Sequence, residues 1–333
     1  GKYDALTDDY CVFARGESFR RHFTEMVGTN SLELLQQSKP RLDKPLSRLV
    51  RTPDVSALPA FEVPIADMVP SLLTAKRSSR PFEATDMVLC LRRAVQSTEK
   101  TIEHAEKLID QGCHGTAIFG STGQAQLISI SEKIDFLNHL TKSKYQEKFI
   151  IGTGLNSLGE TINLMNISSS LNFKKFLIMP PSFYKFGDKD VINYYTKIIN
   201  ANPESEIILY NFEKLCGYKF TAECVQELVK RFPKQIIGVK DSSYNLFENL
   251  KIDNFSVLPG SESKLLKGLN LGCSGIITAT CNITSTLARK VYDDFCGKKE
   301  QTNNQKLCDI RNIFEKYNLI SALHSYYSRT NSI

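Results

Sequence analysis

A lysine, a tyrosine and a turn of small polar residues are the groups in this sequence that could act together on a carbonyl compound. Lys240 follows the apolar run IIGV (236–239), Tyr210 follows the run EIIL (206–209), and the turn GSTG occupies 120–123. A lysine amine that is neutral part of the time attacks a ketone and forms an imine, an electron sink for adjacent bonds. A short apolar run bounded by turn-forming residues is typical of a strand buried on both faces. Burial favours the neutral amine that this reaction needs.

Each of these groups also has an ordinary structural interpretation. A lysine at the end of a strand commonly extends its aliphatic stem into solvent, and a lone buried tyrosine packs with its hydroxyl bonded. The sequence GSTG forms a plain turn in most proteins, and without a following Lys-Ser/Thr it is no phosphate-binding loop. The catalytic interpretation therefore depends on whether the fold brings the three groups to one place.

The elements that must position these groups are eight short β-branched runs alternating with amphipathic stretches. Strand, helix and strand repeated in this way, with runs buried on both faces, predict an α/β fold with a parallel sheet. Eight such units close into a (β/α)8 TIM barrel. The rival, an open doubly wound sheet, would carry GxGxxG after its first strand, whereas the glycines of GTGLNSLG (152–159) have the wrong spacing. The predicted strands are VPSLLT (69–74), TAIFG (116–120), KFIIGTG (148–154), KKFLIMP (174–180), EIILYN (206–211), QIIGVKD (235–241), FSVLPG (255–260) and SGIITAT (274–280).

The stretches between these runs have apolar residues spaced by three and four and begin with Ser, Thr or Asp. This pattern predicts amphipathic helices with side-chain N-caps. The clearest examples are TIEHAEKLIDQG (101–112), SEKIDFLNHLTKS (131–143), DVINYYTKIINA (190–201) and TAECVQELVKRF (221–232).

In such a barrel, side chains at the carboxyl ends of the strands face one mouth. Lys240 and Tyr210 would then meet the turn of Ser121, Thr122 and Gly123. The lysine would form an imine with a 2-oxo acid, and the tyrosine would relay protons. The turn would hold the carboxylate through hydroxyl and backbone N–H groups. Together the residues favour the making or breaking of a carbon–carbon bond.

Composition narrows the class of protein further. The net charge of +6 comes from 42 basic and 36 acidic residues without a dense basic block, which argues against a nucleic-acid partner. No apolar stretch is long enough for a membrane span, and residues 1–30 lack the apolar core of a secretion signal. Nine cysteines without a CxxC pair indicate reduced thiols in a cytoplasmic protein. Five histidines without ligand spacing predict no metal and no cofactor.

The ends of the chain do not join the barrel pattern. We divide it into an irregular extension at 1–66, the barrel at 67–285 and a C-terminal helical region at 286–333. The extension is rich in Arg, Asp, Ser and Pro and has one predicted helix at 31–37. The stretch 84–100 looks inserted. Because the chain stops inside the helical region, a truncated or chimeric reading frame is one of our hypotheses.

From about residue 69 onwards the sequence resembles the dihydrodipicolinate synthase/N-acetylneuraminate lyase superfamily of pyruvate-dependent class I aldolases. The resemblance implies that Lys240 forms the Schiff base and that Tyr210 relays protons. Ser121 and Thr122 would bind the pyruvate carboxylate, with Gln124 standing where glutamate is usual. Four motifs in the family's order carry the resemblance: GSTGQ (120–124), YNFEKLCG (210–217), GVKDSS (238–243) and GSESKLLKGLNLGCSGIITATCN (260–282).

The resemblance implies further site residues and an oligomer. Gly260 and Ile277 would line the pyruvate pocket. A second tyrosine of the family, donated to the neighbouring subunit, falls on either Phe183 or Tyr184, of which only Tyr184 can relay protons. The family's members are homo-oligomers, often tetramers, that take pyruvate and an aldehyde as small-molecule substrates.

The substrate is indicated by differences among the family's members. Leu215 stands where the synthase has an arginine for the second substrate's carboxylate, which argues against that activity. Glu262-Ser263 and Ala279 differ from the pattern of sialic acid lyases. The segment KDSS (240–243) is most similar to aldolases for 2-keto-3-deoxy sugar acids, in which Ser242 and Glu262 would bond substrate hydroxyls. The alternatives are 4-hydroxy-tetrahydrodipicolinate synthase, N-acetylneuraminate lyase and a non-catalytic 2-oxo-acid-binding protein.

Overall fold

A computed structural model describes residues 98–330, which form alternating helices and parallel strands. The strands are β1 Thr116–Ile118, β2 Phe149–Gly152, β3 Lys175–Ile178, β4 Glu206–Asn211, β5 Ile236–Asp241 and β6 Ser256–Pro259. The helices are α1 Thr98–Asp110, α2 Ile130–Leu140, α3 Leu158–Ser170, α4 Asp188–Ala201, α5 Glu213–Cys216, α6 Ala222–Arg231, α7 Leu265–Asn270, α8 Cys281–Cys296, α9 Asn304–Glu315 and α10 Leu319–Thr330. Short 3₁₀ turns lie at Ala125–Leu127, Gln146–Lys148 and Glu262–Lys264.

The six strands form one parallel sheet in the order of the chain, curled into a half-barrel. Strand residues alternate between its two faces. Ile207 and Leu209 belong to a large outer core that also contains helix residues such as Leu137 and Leu228. The inner face carries a separate apolar cluster built around Leu177, Ile208 and Tyr210. Burial on both faces explains why these strands are continuous apolar runs.

The first turns of several helices are fixed by the polar residues that precede them. Ser129 begins α2 with a capping box, in which its Oγ accepts the N–H of Glu132 at 3.3 Å while the Glu132 carboxylate accepts the N–H of Ser129 at 2.8 Å. These hydrogen bonds lower the pKa of Glu132. Ser157 and Thr221 cap α3 and α6 by a single bond each, in which the side-chain oxygen accepts the N–H of Glu160 or of Cys224. The predicted amphipathic helices are thus confirmed, with boundaries shifted by a few residues.

The register of β4 and β5 contains a one-residue shift. Ile207 pairs with Ile236, whereas the next residue, Ile208, pairs with Gly238, so that Ile237 is skipped. Ile237 packs with the inner apolar cluster. The shift therefore changes which residues of β5 face inwards beyond this point.

Six of the eight predicted strands are confirmed, and a seventh prediction is wrong. The stretch 274–280 forms no strand, because it makes only two ladder-like backbone bonds to β6, from Ser274 N to Val257 O and from Ile277 N to Pro259 O. Gly275, with φ of 149°, interrupts the extended backbone between them. The remaining predicted strand at 69–74 lies outside the described residues, as do the extension at 1–66 and most of the stretch 84–100.

The C-terminal part of the described chain is helical, as predicted. Helices α8, α9 and α10 follow one another from Cys281 to Thr330, and the domain boundary predicted at 285/286 falls inside α8. Within residues 98–330 no helix is both long and apolar enough to cross a membrane. The seven cysteines of this range are free thiols.

Candidate active site

Lys240 and Tyr210 lie side by side near the carboxyl ends of β5 and β4. They are register partners in the parallel ladder. Both are buried, with Lys240 8% and Tyr210 5% exposed, and the Lys240 Nζ lies 4.1 Å from the centre of the tyrosine ring. An ammonium group at this distance over an aromatic face is attracted by the quadrupole of the ring. The interpretation of Lys240 as a solvated strand end is therefore wrong.

The GSTG turn is joined to this pair through one hydrogen bond. Ser121 Oγ lies 2.9 Å from the Tyr210 hydroxyl, which connects the end of β1 to the end of β4. The turn is closed by a bond of 3.1 Å from Gln124 N to Ser121 O, and Gln124 adopts a left-handed φ of 53°. Thr122 and Gly123 lie between them, with Gly123 exposed at the tip. Lys240, Tyr210 and the GSTG turn thus lie together at the edge of the sheet where the carboxyl ends of the strands meet, which we call the rim. Their convergence agrees with the prediction.

Two further predicted residues lie next to this rim. Ile277 packs against the inner apolar cluster that contains Tyr210. Gly260 lies against Ser242, and an ideal Cβ built on Gly260 would overlap the Ser242 Oγ and approach its Cβ to 3.0 Å. Only glycine allows the ends of β5 and β6 to approach this closely.

A buried polar network holds the residue that follows Lys240. Asp241 accepts a hydrogen bond of 2.8 Å from the Asn211 amide, and its other oxygen accepts the backbone N–H groups of Leu246 and Phe247 at 2.9 and 3.0 Å. The Asn211 amide also donates to Asn245 Oδ1 at 2.8 Å. The network fixes the loop after β5 to the end of β4. Our sequence reasoning missed this role of Asn211 and Asp241, although both are polar residues closing apolar strands.

The sequence predicts that Glu262 contacts substrate hydroxyls, whereas in the structure its carboxyl lies among buried protein groups. Its carboxyl is fully buried and pairs with Arg311 of α9 at 3.2 Å. It also accepts the hydroxyls of Thr278 at 2.8 Å and Thr284 at 3.3 Å. The structure therefore brings Glu262 to the helical region and leaves its contact with substrate hydroxyls a prediction.

The second predicted tyrosine lies on an exposed segment after β3. Tyr184 is 75% exposed, and Phe183, 91% exposed, adopts a left-handed φ of 77°. A non-glycine residue in this region is strained unless its surroundings hold it there. Within the described residues Tyr184 does not join the Lys240 cluster but is exposed to solvent.

A buried lysine that sequence reasoning missed supports the turn from behind. Lys133 of α2 has no exposed surface, and its Nζ donates to the Thr153 carbonyl just beyond β2 at 2.9 Å. The amine also lies 5.9 Å from the centre of the Phe119 ring, next to the turn. Burial lowers the pKa of Lys133 to about 8, against a smaller opposing effect of Glu160. The spacing of Lys133 with Phe136, Leu137 and Leu140 places it on the apolar face of α2, a signal that our sequence reasoning overlooked.

The described residues offer no metal centre, since no three His, Cys, Asp or Glu side chains of 98–330 lie together as ligands. What the rim holds is an amine, a phenol, a serine hydroxyl and a turn with hydroxyl and N–H donors. This set can form an imine, transfer protons and bind a carboxylate.

Comparison with known proteins gives a consistent result. Residues 93–327 match the sequence profile of the Dihydrodipicolinate synthetase family. The chain is 27% identical over 222 residues to a 2-dehydro-3-deoxy-D-gluconate/2-dehydro-3-deoxy-phosphogluconate aldolase of Picrophilus torridus, covering 64% of this chain and 82% of that protein. It is 26% identical to a 4-hydroxy-tetrahydrodipicolinate synthase of Lactobacillus acidophilus, covering 68% of this chain and 70% of the other.

A solved structure supports the fold. The 2-keto 3-deoxygluconate aldolase from Picrophilus torridus superimposes with a TM-score of 0.61 at 24% identity, covering 70% of this chain and 87% of that one. At this identity the likeness concerns the barrel architecture.

Proposed function

The chain belongs to the dihydrodipicolinate synthetase family and is a carbon–carbon lyase, and we propose that it cleaves a 2-keto-3-deoxy sugar acid through a Schiff base on Lys240. The observation that supports this most directly is the connected series of Lys240, Tyr210 and Ser121 at one barrel rim. In this proposal residues 67–285 carry the chemistry, and pyruvate and an aldehyde are the products.

The first half of the reaction forms the imine. The neutral amine of Lys240 adds to the C2 ketone, and one proton of the new ammonium nitrogen passes to the former carbonyl oxygen to give a carbinolamine. The Tyr210 hydroxyl, bonded to Ser121 Oγ at 2.9 Å, donates a proton to the departing hydroxyl, which leaves as water. The product is an iminium on Lys240 with its positive charge next to C3.

The second half breaks the carbon–carbon bond. The C4 hydroxyl gives its proton to the Tyr210 phenolate left by the first half, the C3–C4 electron pair moves into the iminium, and the aldehyde leaves. The resulting enamine is protonated at C3, and water hydrolyses the new iminium to pyruvate and free Lys240. Condensation is the reverse of these steps. Tyr210 is the group placed to return the proton in each direction.

The turn supplies the carboxylate site in this proposal. Ser121 and Thr122 present hydroxyls beside the backbone N–H of Gly123, a set of donors suited to an anion. Gly260 and Ile277 flank the pyruvate portion, and Ser242 meets a sugar hydroxyl. Glu262 is not assigned to the substrate, because its oxygens already bond to Arg311, Thr278 and Thr284.

Two observations support a sugar acid over aspartate semialdehyde. Leu215 is 42% exposed on α5, so it presents an apolar surface where a guanidinium would bind a second carboxylate. The similarity to a protein named as a 2-dehydro-3-deoxy-D-gluconate aldolase agrees with this choice. We further propose a homo-oligomer, a tetramer by family resemblance, in which exposed Tyr184 serves a neighbouring site.

The proposal is tested by trapping the imine. Intact mass is measured after incubation with pyruvate and borohydride for the wild type, Lys240→Ala and Lys219→Ala, the last removing an exposed lysine paired with Glu213. We expect one reduced pyruvate adduct on the wild type and on Lys219→Ala, mapped to Lys240, and none on Lys240→Ala. A folded wild type without an adduct would refute the mechanism.

The substrate is tested separately by product release. Pyruvate release is assayed with 2-keto-3-deoxygluconate and with N-acetylneuraminate, and condensation is assayed with pyruvate and aspartate semialdehyde. Turnover of the first substrate is the expected result. Turnover of another in its place would keep the Schiff base and replace the sugar-acid assignment.

A further inference from the structure

A buried ion pair connects the C-terminal helices to the end of the last described strand. Arg311 of α9 and Glu262, which follows β6, lie 3.2 Å apart with side-chain exposures of 7% and 0%. In the surface pair of Arg231 and Glu227 the exposures are 49% and 37%, and Glu315, the second partner of Arg311, is 46% exposed. Among the arginine–carboxylate pairs of residues 98–330, only the Arg311–Glu262 pair has both side chains buried.

The pair is the centre of a larger network. The Arg311 Nη1 also donates to the hydroxyls of Thr278 at 3.1 Å and Thr280 at 3.0 Å. Glu262 in turn accepts from Thr278 and Thr284, and the Arg311 Nε binds Glu315 on the same helix at 2.7 Å. One guanidinium therefore ties α9 to two separate segments of the barrel end.

These two segments border the proposed pyruvate pocket. Glu262 comes two residues after Gly260, which packs on Ser242 beside Lys240. Thr278 directly follows Ile277, which packs with the cluster that contains Tyr210. The segment 274–280 makes only two ladder-like backbone bonds to β6, and the bonds from Arg311 to Thr278 and Thr280 are further contacts that hold it.

Stability alone does not account for such a pair. Removing two charges from water costs about as much as their attraction returns, so a buried pair of this kind is weak support for stability. Its geometric effect is stronger, since a planar guanidinium binds several acceptors in fixed directions.

We propose that Arg311 is a positioning residue, which holds Gly260 and Ile277 around the pyruvate portion of the substrate by anchoring Glu262, Thr278 and Thr280. The inference rests on the proposed function, because it assigns Arg311 an effect on the same pocket. It extends the site to a helix outside the barrel strands.

The test separates positioning from simple stabilisation. Arg311→Gln, Glu262→Gln and the double variant are compared with Arg231→Gln, which removes a surface pair. For each protein the rate of borohydride trapping is measured against pyruvate concentration, together with the melting temperature. Backbone hydrogen exchange of 257–262 and 276–284 is followed by mass spectrometry.

For Arg311→Gln we expect the half-saturating pyruvate concentration to rise about tenfold, the equivalent of about one well-made hydrogen bond, with faster exchange in both segments. The double variant leaves no unpaired buried charge and regains melting temperature. It keeps the raised half-saturation, because Thr278 and Thr280 remain unanchored. If Arg311 only stabilised the fold, the double variant would regain both the melting temperature and the wild-type half-saturating pyruvate concentration. Arg231→Gln behaves like the wild type.

A folded Arg311→Gln with wild-type half-saturation and exchange would overturn the inference. If Arg311→Gln fails to fold, Thr280→Val is used instead, because it removes one acceptor of the guanidinium. Unchanged half-saturating pyruvate concentration and unchanged hydrogen exchange in Thr280→Val would also overturn the inference. If the wild type forms no pyruvate adduct, the proposed function fails, and hydrogen exchange decides the inference. Faster exchange in the two segments of Arg311→Gln then supports the anchoring, and unchanged exchange refutes it.

Discussion

Replacing Lys133 by methionine should alter how the stability of the protein depends on pH. The side chain is fully buried, donates to the Thr153 carbonyl at 2.9 Å, and has its pKa lowered by burial to about 8. Methionine has a similar length and no charge, so the substitution removes the titration while filling most of the volume. The lost hydrogen bond to Thr153 is a cost that does not vary with pH.

The size of the effect follows from the difference in pKa. In the unfolded chain the amine stays protonated up to about pH 10.5, and in the folded protein only up to about pH 8. Between these values the unfolded state binds more protons, so the free energy of unfolding rises with pH. Each pKa unit corresponds to about 1.4 kcal/mol, and burial of the charge therefore destabilises the folded protein by about 3 kcal/mol at pH 7. By pH 10 most of this destabilisation of the folded protein has disappeared.

Urea unfolding of the wild type and Lys133→Met at pH 7, 8, 9 and 10, under reducing conditions, measures the effect. We expect the stability of the variant relative to the wild type to fall by about 2 to 3 kcal/mol from pH 7 to pH 10. All other titrating groups cancel in this comparison. Lys219→Met, at an exposed salt bridge with Glu213, is the matched control. A wild-type–variant difference that stays constant over this range would refute the reasoning.

Three further substitutions test the rim. Tyr210→Phe removes the hydroxyl bonded to Ser121, and kcat for pyruvate release should fall at least about a hundredfold, the usual effect of losing a proton-transfer group. Gly260→Ala places a Cβ against Ser242 and should lower the free energy of unfolding by about 1 to 3 kcal/mol. Adding Ser242→Gly should restore part of this loss. An unchanged free energy of unfolding in the single variant would contradict the close approach. Asp241→Ala removes the acceptor of two backbone N–H groups and should lower the free energy of unfolding by about 2 kcal/mol or more. Hydrogen exchange at 242–247 should become faster. Unchanged exchange there would show that other contacts hold the loop.

The parts of the structure that depend on local pattern could be predicted from the sequence. Apolar runs such as IIGV (236–239) reveal buried strands because parallel strands are covered on both faces. Parallel strands bring their carboxyl ends to one edge, so the meeting of Lys240 with Tyr210 and Ser121 followed from their positions after these runs. The predicted convergence on one rim needed no knowledge of side-chain packing.

The parts that depend on long-range packing could not be predicted. Glu262 and Arg311 lie 49 residues apart in the chain and meet only because α9 packs on the end of the barrel. Lys133 is spaced with Phe136, Leu137 and Leu140 on the buried face of α2, so its burial could be predicted, but the acceptor of its amine, the Thr153 carbonyl, lies on another element. The run SGIITAT (274–280) has strand composition, but its backbone bonds to β6 are too few for a ladder.

The one-residue register shift between β4 and β5 is a place where the length of β5 can change by one residue without moving Lys240 to the other face. Successive strand residues alternate between faces, and the shift at Ile237 sets which of them face inwards, so Lys240 shares a face with Tyr210. Deleting one residue between 236 and 239 would remove the extra residue from the ladder and leave Lys240 paired with Tyr210 on the inner face. In this short segment, the face on which Lys240 lies is set by its pairing with Tyr210 and not by the number of residues before it.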